Sequence, residues 1–117
     1  MTVASGESST ALGDSSAANA DYATAVGDYA VADGESSVAI GDSSYAEKQG
    51  AVAMGGAYDA NSSGTIDNGE YADAQGFLSS AFGTAATAEG DYSTALGDFS
   101  TATLLSAAGP RRPRTAP

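Results

Sequence analysis

The chain contains no cysteine, no histidine and no tryptophan. Disulfides, thiolate or imidazole metal sites, and any Ser-His or Cys-His catalytic pair are therefore excluded. Positive charge is nearly as scarce. Four bases stand against fifteen acids, and three of the four, Arg111, Arg112 and Arg114, fall in the last seven residues. All the acids lie between Glu7 and Asp98, where Lys48 is the single base. Such an acidic body is poorly suited to nucleic acid or an anionic membrane, because phosphate contacts require Lys and Arg. No apolar run approaches the length of a membrane span, and "MTVASGESST" has neither the basic start nor the apolar stretch of a signal peptide. If the protein is exported, the export and anchoring parts are expected outside this sequence. At 117 residues the chain is one domain at most, with a modest core.

What is present is a beat. The triplet Ala-apolar-Gly recurs as "ALG" (11–13), "AVG" (25–27), "AIG" (39–41), "AMG" (53–55), "AFG" (81–83) and "ALG" (95–97). The closing glycines are 14 residues apart except for one gap of 28, and Gly69 falls at the midpoint of that gap. A second column runs Ala18, Ala32, Ala46, Ala60, Ala74, Ala88 and Ala102. Helical repeats use longer units and tolerate glycine poorly. Fourteen residues suit one coil of an all-β parallel solenoid, expected as two strands of about five residues joined by tight turns.

Within a coil the residues sort by face. In "SSVAIG" (36–41), Ser37 and Ala39 alternate with Val38 and Ile40, the period-2 signature of a strand. The second strand, Ser44 to Ala46, and its counterparts Ser16/Ala18, Ala30/Ala32 and Ser100/Ala102 are again small where they share a face. Small residues from both strands are expected to meet in a thin interior. Leu12, Val26, Ile40, Met54, Phe82 and Leu96 are then left in one outer ladder, flanked by Val38 and Val52. The opposite outer surface is polar: Asn19, Asp33, Glu47, Gln75 and Glu89. The inverted arrangement, with bulky residues inside, gives the alanine column no reason to be alanine. Each large side chain in the ladder would gain about 1.5–3 kcal/mol on full burial, and monomers seldom expose a continuous patch of this kind. Another copy of the chain is the simplest cover; the spacing does not fix how many.

"SSVAIGDSSYAEKQGAVAMGG" (36–56) and "EGDYSTALGDFSTAT" (89–103) resemble the head repeats of trimeric autotransporter adhesins, whose pattern is S-x-A-x-G-x-x-S-x-A-x-G. The similarity covers residues 3–58 and 71–103. It implies a left-handed parallel β-roll, a homotrimer packed around the hydrophobic axis formed by the ladder, and an extracellular, cell-surface head that binds host matrix or other cell-surface ligands. The sequence shows no coiled-coil stalk, membrane-anchoring barrel or signal peptide. It is therefore expected to be either an excised head or the same roll used in a phage fibre or other virion protein.

The beat fails at "DANSSGTIDNGE" (59–70), where Asp67 would fall in the alanine column and Asn68 in the bulky one, each a costly buried polar group. The pattern resumes at Tyr71, so the chain reads as a 1–103 roll interrupted by an excursion over 59–70. The excursion matches the EF-hand calcium-loop template: Asp59, Asn61 and Ser63 at positions 1, 3 and 5, and Gly64 at the sharp turn. Thr65 would offer its carbonyl, Asp67 would act directly or through water, Ile66 would be the apolar anchor, and Glu70 would close the site bidentately. Structural Ca2+ is the expected cofactor. Ser63 replaces the commoner Asp or Asn and removes a charge.

The column Asp14, Asp28, Asp42 and Asp98 reads as solvated turn residues in preference to shared cation ligands. Tyr22, Tyr29, Tyr45, Tyr58, Tyr71, Tyr92 and Phe99 fall at turns or outer positions, as binding contacts or as packing between subunits. "GPRRPRTAP" (109–117) cannot continue the strands, because proline lacks the donor a ladder needs. Residues 104–117 are expected to be a flexible tail or truncated linker. An irregular outward row (Ala17, Val31, Tyr45, Asp59, Asp73, Thr87, Thr101) argues against a flat ice-binding face. The absence of a convergent pocket argues against an enzyme.

Overall fold

The computed structural model describes residues 1–103; the tail expected over 104–117, with Arg111, Arg112 and Arg114, lies outside them. Short strands follow one another at half-coil intervals. They are β1 (Val3–Ala4), β2 (Thr10–Leu12), β3 (Ala17–Ala18), β4 (Thr24–Val26), β5 (Val31–Ala32), β6 (Val38–Ile40) and β7 (Tyr45–Ala46). The series continues with β8 (Val52–Met54), β9 (Asp73–Ala74), β10 (Ser80–Phe82), β11 (Thr87–Ala88), β12 (Thr94–Leu96) and β13 (Thr101–Ala102). Odd-numbered strands form a seven-stranded sheet and even-numbered strands a six-stranded one. Every pairing is parallel, as in Val26 against Ile40 and Ala18 against Ala32. The molecule is an all-β parallel solenoid with 14-residue coils, consistent with a β-roll. The strands are two or three residues long, shorter than the five expected, because tight turns take the remainder of each half-coil.

Those turns have a spacing of their own. A backbone hydrogen bond closes each one from the fourth residue to the first, as from Ser37 N–H to Gly34 and from Ser44 N–H to Gly41. The third residue has a left-handed φ near 60°: Ser8, Ser15, Tyr22, Tyr29, Ser36, Ser43 and Gly50, each seven residues after the last. That sign at the third position is what type II turns require. A non-glycine residue there costs roughly 1–2 kcal/mol of local strain. It persists because the amide so oriented donates to the preceding coil, as Tyr22 N–H does to Glu7 and Tyr29 N–H to Asp14. Hydrogen bonding between coils thus runs through the corners as well as the strands.

The interior is as thin as the small residues allow. Ala18, Ala25, Ala32, Ala39, Ala46, Ala53, Ala74, Ala81 and Ala88 are fully buried, together with Ser16, Ser37, Ser44, Ser79 and Ser93. A buried hydroxyl needs a partner, and most of these serines donate to the turn carbonyl three residues back. Ser44 reaches Gly41 at 2.9 Å and Ser93 reaches Gly90 at 2.6 Å. The repeated glycine is explained by stacking: a Cβ at Gly41 would lie 2.1 Å from the carbonyl oxygen of Gly55.

The register corrects one expectation. Ala46 pairs directly with Ala74, Tyr45 with Asp73 and Met54 with Phe82. Ala60 is therefore not in the alanine column, and Asp59 is not in the outward row. The partners across the break are 28 residues apart in place of 14, so the inserted segment is one coil long and leaves the phase of every column undisturbed. The corners bridge the gap, with Leu78 N–H donating to Gln49 and Ala85 N–H to Gly56.

Candidate functional site

Two features depart from a plain rod. The first is the outer face of the six-stranded sheet. Parallel in-register pairing carries Leu12, Val26, Ile40, Met54, Phe82 and Leu96 into one column. Leu12 is 65% exposed and Leu96 72%. Met54 is also exposed, and Val26, Ile40 and Phe82 are half-buried by one another along the stack. The small-inside, large-outside sorting is thus present in the chain, and the apolar ladder faces outward.

The second is the extruded loop. The chain leaves the coil after Gly56, and its neck is tied by Tyr58 N–H donating to the carbonyl of Glu70 at 2.8 Å. Tyr58 packs edge-on against Phe99, ring centroids 6.1 Å apart. Beyond the neck the loop closes on polar groups because it has almost nothing apolar to bury. Ser63 Oγ lies 3.0 Å from Asp67 Oδ2, 3.1 Å from the Thr65 carbonyl and 3.5 Å from Asp59 Oδ1, so its one proton serves one of these acceptors at a time. Asn61 Oδ1 accepts from Ser63 N–H at 3.0 Å, and its Nδ2 donates to Asp67 at 3.2 Å. Hydrogen bonds from Asn61 and Ser63, with a lesser one from Thr65, hold the Asp67 carboxyl below its ordinary range.

The structure therefore gathers Asp59, Asn61, Ser63, Thr65 and Asp67 around the Ser63 hydroxyl. It places Glu70 differently. That carboxylate is buried at the loop base, where it accepts from Asp67 N–H at 2.8 Å, Ala60 N–H at 3.1 Å and Asn61 N–H at 3.3 Å. Ile66 is 36% exposed. Among the described residues no three or more His, Cys, Asp or Glu side chains are grouped to hold a metal ion. The donors that converge are oxygens, the class calcium takes, with serine and a main-chain carbonyl in place of extra carboxylates.

The turn acids have a role that spacing alone does not show. Asp21, Asp91 and Asp98 each accept from the backbone N–H of the matching residue one coil earlier, at 2.8, 2.9 and 3.0 Å. Asp14, Asp28, Asp42 and Asp98 are all exposed. Of the aromatic residues, Tyr92 packs against Phe77 with ring centroids 5.7 Å apart, and Tyr22, Tyr29 and Tyr92 are all more than half exposed. No helix among the described residues is long and apolar enough to cross a membrane.

A parallel solenoid of small-cored 14-residue coils with a bulky row on one outer face defines a repeat protein of the β-roll class. The sequence model of the YadA head domain repeat (two copies) matches residues 4–30, 32–57 and 74–100. The chain belongs to this family, the head repeats of trimeric autotransporter adhesins. It is a non-enzymatic adhesin-type head, of a family found at the extracellular cell surface. No match to a curated protein was found.

Proposed function

We propose that this chain is the adhesive head of an extracellular fibre, that three copies assemble through the ladder, and that the extruded loop takes a structural calcium ion. The observation that carries the assembly is the continuous outward column from Leu12 to Leu96, which water covers poorly and a second copy covers well. The family's trimeric character supports three copies, a left-handed roll and a common hydrophobic axis. Anchoring in an outer membrane would be supplied by other parts of the fibre. Light scattering at micromolar concentration is expected to give the mass of three chains; a single-chain mass removes the assembly. Purified trimer is expected to attach to matrix-coated surfaces or host cells. Inert trimer would instead favour the second reading, a structural or decoration fibre of a phage virion.

For the loop, Asp59, Asn61, Ser63, Asp67 and the Thr65 carbonyl would hold the ion, and Glu70 would close the set only by giving up the backbone amides it accepts at the loop base. Calcium would supply charge neutralisation and loop order, with no reacting group beside it. The convergence of hard oxygens on Ser63 supports this reading. Thermal melts with calcium and with chelator are expected to differ in midpoint, and identical midpoints would remove the metal.

A further inference from the structure

The face opposite the ladder carries an acidic groove that none of the functions above uses. It has a volume of about 560 Å³ and is lined by Glu47, Asp73 and Glu89, by Tyr45 and Tyr71, and by the shoulder of the extruded loop at Asn68 and Gly69. The groove exists because of the insertion. Skipping a coil's length sets Asp73 beside Tyr45 in the outward row, and the returning chain roofs it.

Asp73 is the unusual group. It is only 5% exposed, yet it stands on an outer face. Its Oδ2 accepts from Gln75 Nε2 at 2.8 Å, whereas Oδ1 is buried with no hydrogen-bond partner. A buried, half-satisfied carboxylate is destabilising unless something completes it. Burial outweighs the Gln75 bond and, with the charge of Glu47, a hydrogen bond that protonated Asp73 can make to it, and the charge of Glu89, raises its carboxyl to about 6. Among the described residues the one ion pair joins the N-terminal ammonium to Asp14, so no base of the roll neutralises this groove.

We propose that the groove is a binding site for a guanidinium group, the side chain of an arginine presented by a basic peptide. A metal ion is the poorer fit, because the three carboxylates are not grouped closely enough to ligate one ion and the space far exceeds what an ion fills. A guanidinium is flat and carries five donors in a fixed fork, so it can serve acceptors spread along a groove. The two tyrosines add faces that attract such a cation. Tyr45 is already fixed for this, its hydroxyl donating to Asp33 Oδ2 at 2.8 Å. The site lies on the other sheet from the ladder, and the base of the extruded loop forms part of its wall.

The test is titration of the isotopically labelled full chain with N-acetyl-arginine amide, read by backbone and carboxyl NMR at pH 7.5. The neutral citrulline analogue serves as control. Shifts confined to Glu47, Asp73, Gln75 and Glu89 are expected with arginine and absent with citrulline. Asp73→Asn is expected to weaken binding by about tenfold or more, and Glu89→Gln by about threefold, whereas Asp42→Asn, in an exposed turn, leaves it unchanged. The variant Arg111→Gln/Arg112→Gln/Arg114→Gln distinguishes sources. Binding by this variant but not by the parent chain identifies the chain's own arginines as the occupant, which upholds the cation site. Equal shifts with citrulline, or arginine binding unaltered by Asp73→Asn in a variant with native spectra, overturn it.

Discussion

At the scale of single residues, the roll is governed by how closely neighbouring coils approach. Gly41 sits at φ +122° with the Gly55 carbonyl directly over it. Gly41→Ala is expected to destabilise the chain by about 2 kcal/mol or more, read as a lower denaturant midpoint. Asp73 gives the opposite sign. Between its ordinary 3.8 and about 6 the folded chain retains a proton that the unfolded chain has released, so stability falls as pH rises through that window. Above it the penalty is fully present. Melting temperature is therefore expected to drop between pH 4 and 7, and Asp73→Asn to flatten that slope and raise the melting temperature at pH 7. A slope unchanged by the substitution would assign it to other acids.

At the scale of elements, one side chain does much of the fastening at the base of the extruded loop. Glu70 accepts three amides at the neck, and its loss frees all three together. Glu70→Ala is expected to abolish hydrogen-exchange protection at Ala60, Asn61 and Asp67 while leaving the amides of β6 (Val38–Ile40) and β12 (Thr94–Leu96) protected. Loss of protection throughout would mean that the loop is part of the cooperative unit. The turns show the same economy of means. From Tyr22 onward each is bound to the previous coil through the third residue's left-handed amide, which lets Tyr22 or Leu78 stand where glycine is the usual choice.

At the scale of the molecule, the ladder is the surface through which the proposed assembly would form. Ile40 lies mid-column and is paired on both sides by Val26 and Met54. The side chain at 40 faces outward in the single chain, so Ile40→Asp is expected to leave the roll's circular dichroism intact while reducing the proposed trimer to monomer in sedimentation. A trimer that survives the substitution would place the shared axis elsewhere.

How much of this was legible in the residues follows from the same physics. A 14-residue period with alanine at fixed positions dictates the solenoid, the small interior and the outward ladder, because a parallel in-register stack repeats each side chain's environment coil after coil. The failure at 59–70 was legible as well, since Asp67 and Asn68 are incompatible with the columns they would enter. What remained hidden was how the chain closes that gap. The insertion is one coil long, so Ala60 and Gly69 keep the phase without keeping the place, and no periodicity reveals the difference. The seven-residue spacing of the turns was present in the sequence, but it is carried by Ser, Tyr, Leu and Phe, types with no preference for a left-handed backbone. Sequence therefore determined the coil and its faces, through local period and side-chain size. Only the tertiary fold decided that Asp73 stacks on Tyr45 and that Glu70 serves backbone amides, because both depend on which segments the chain brings together across the break.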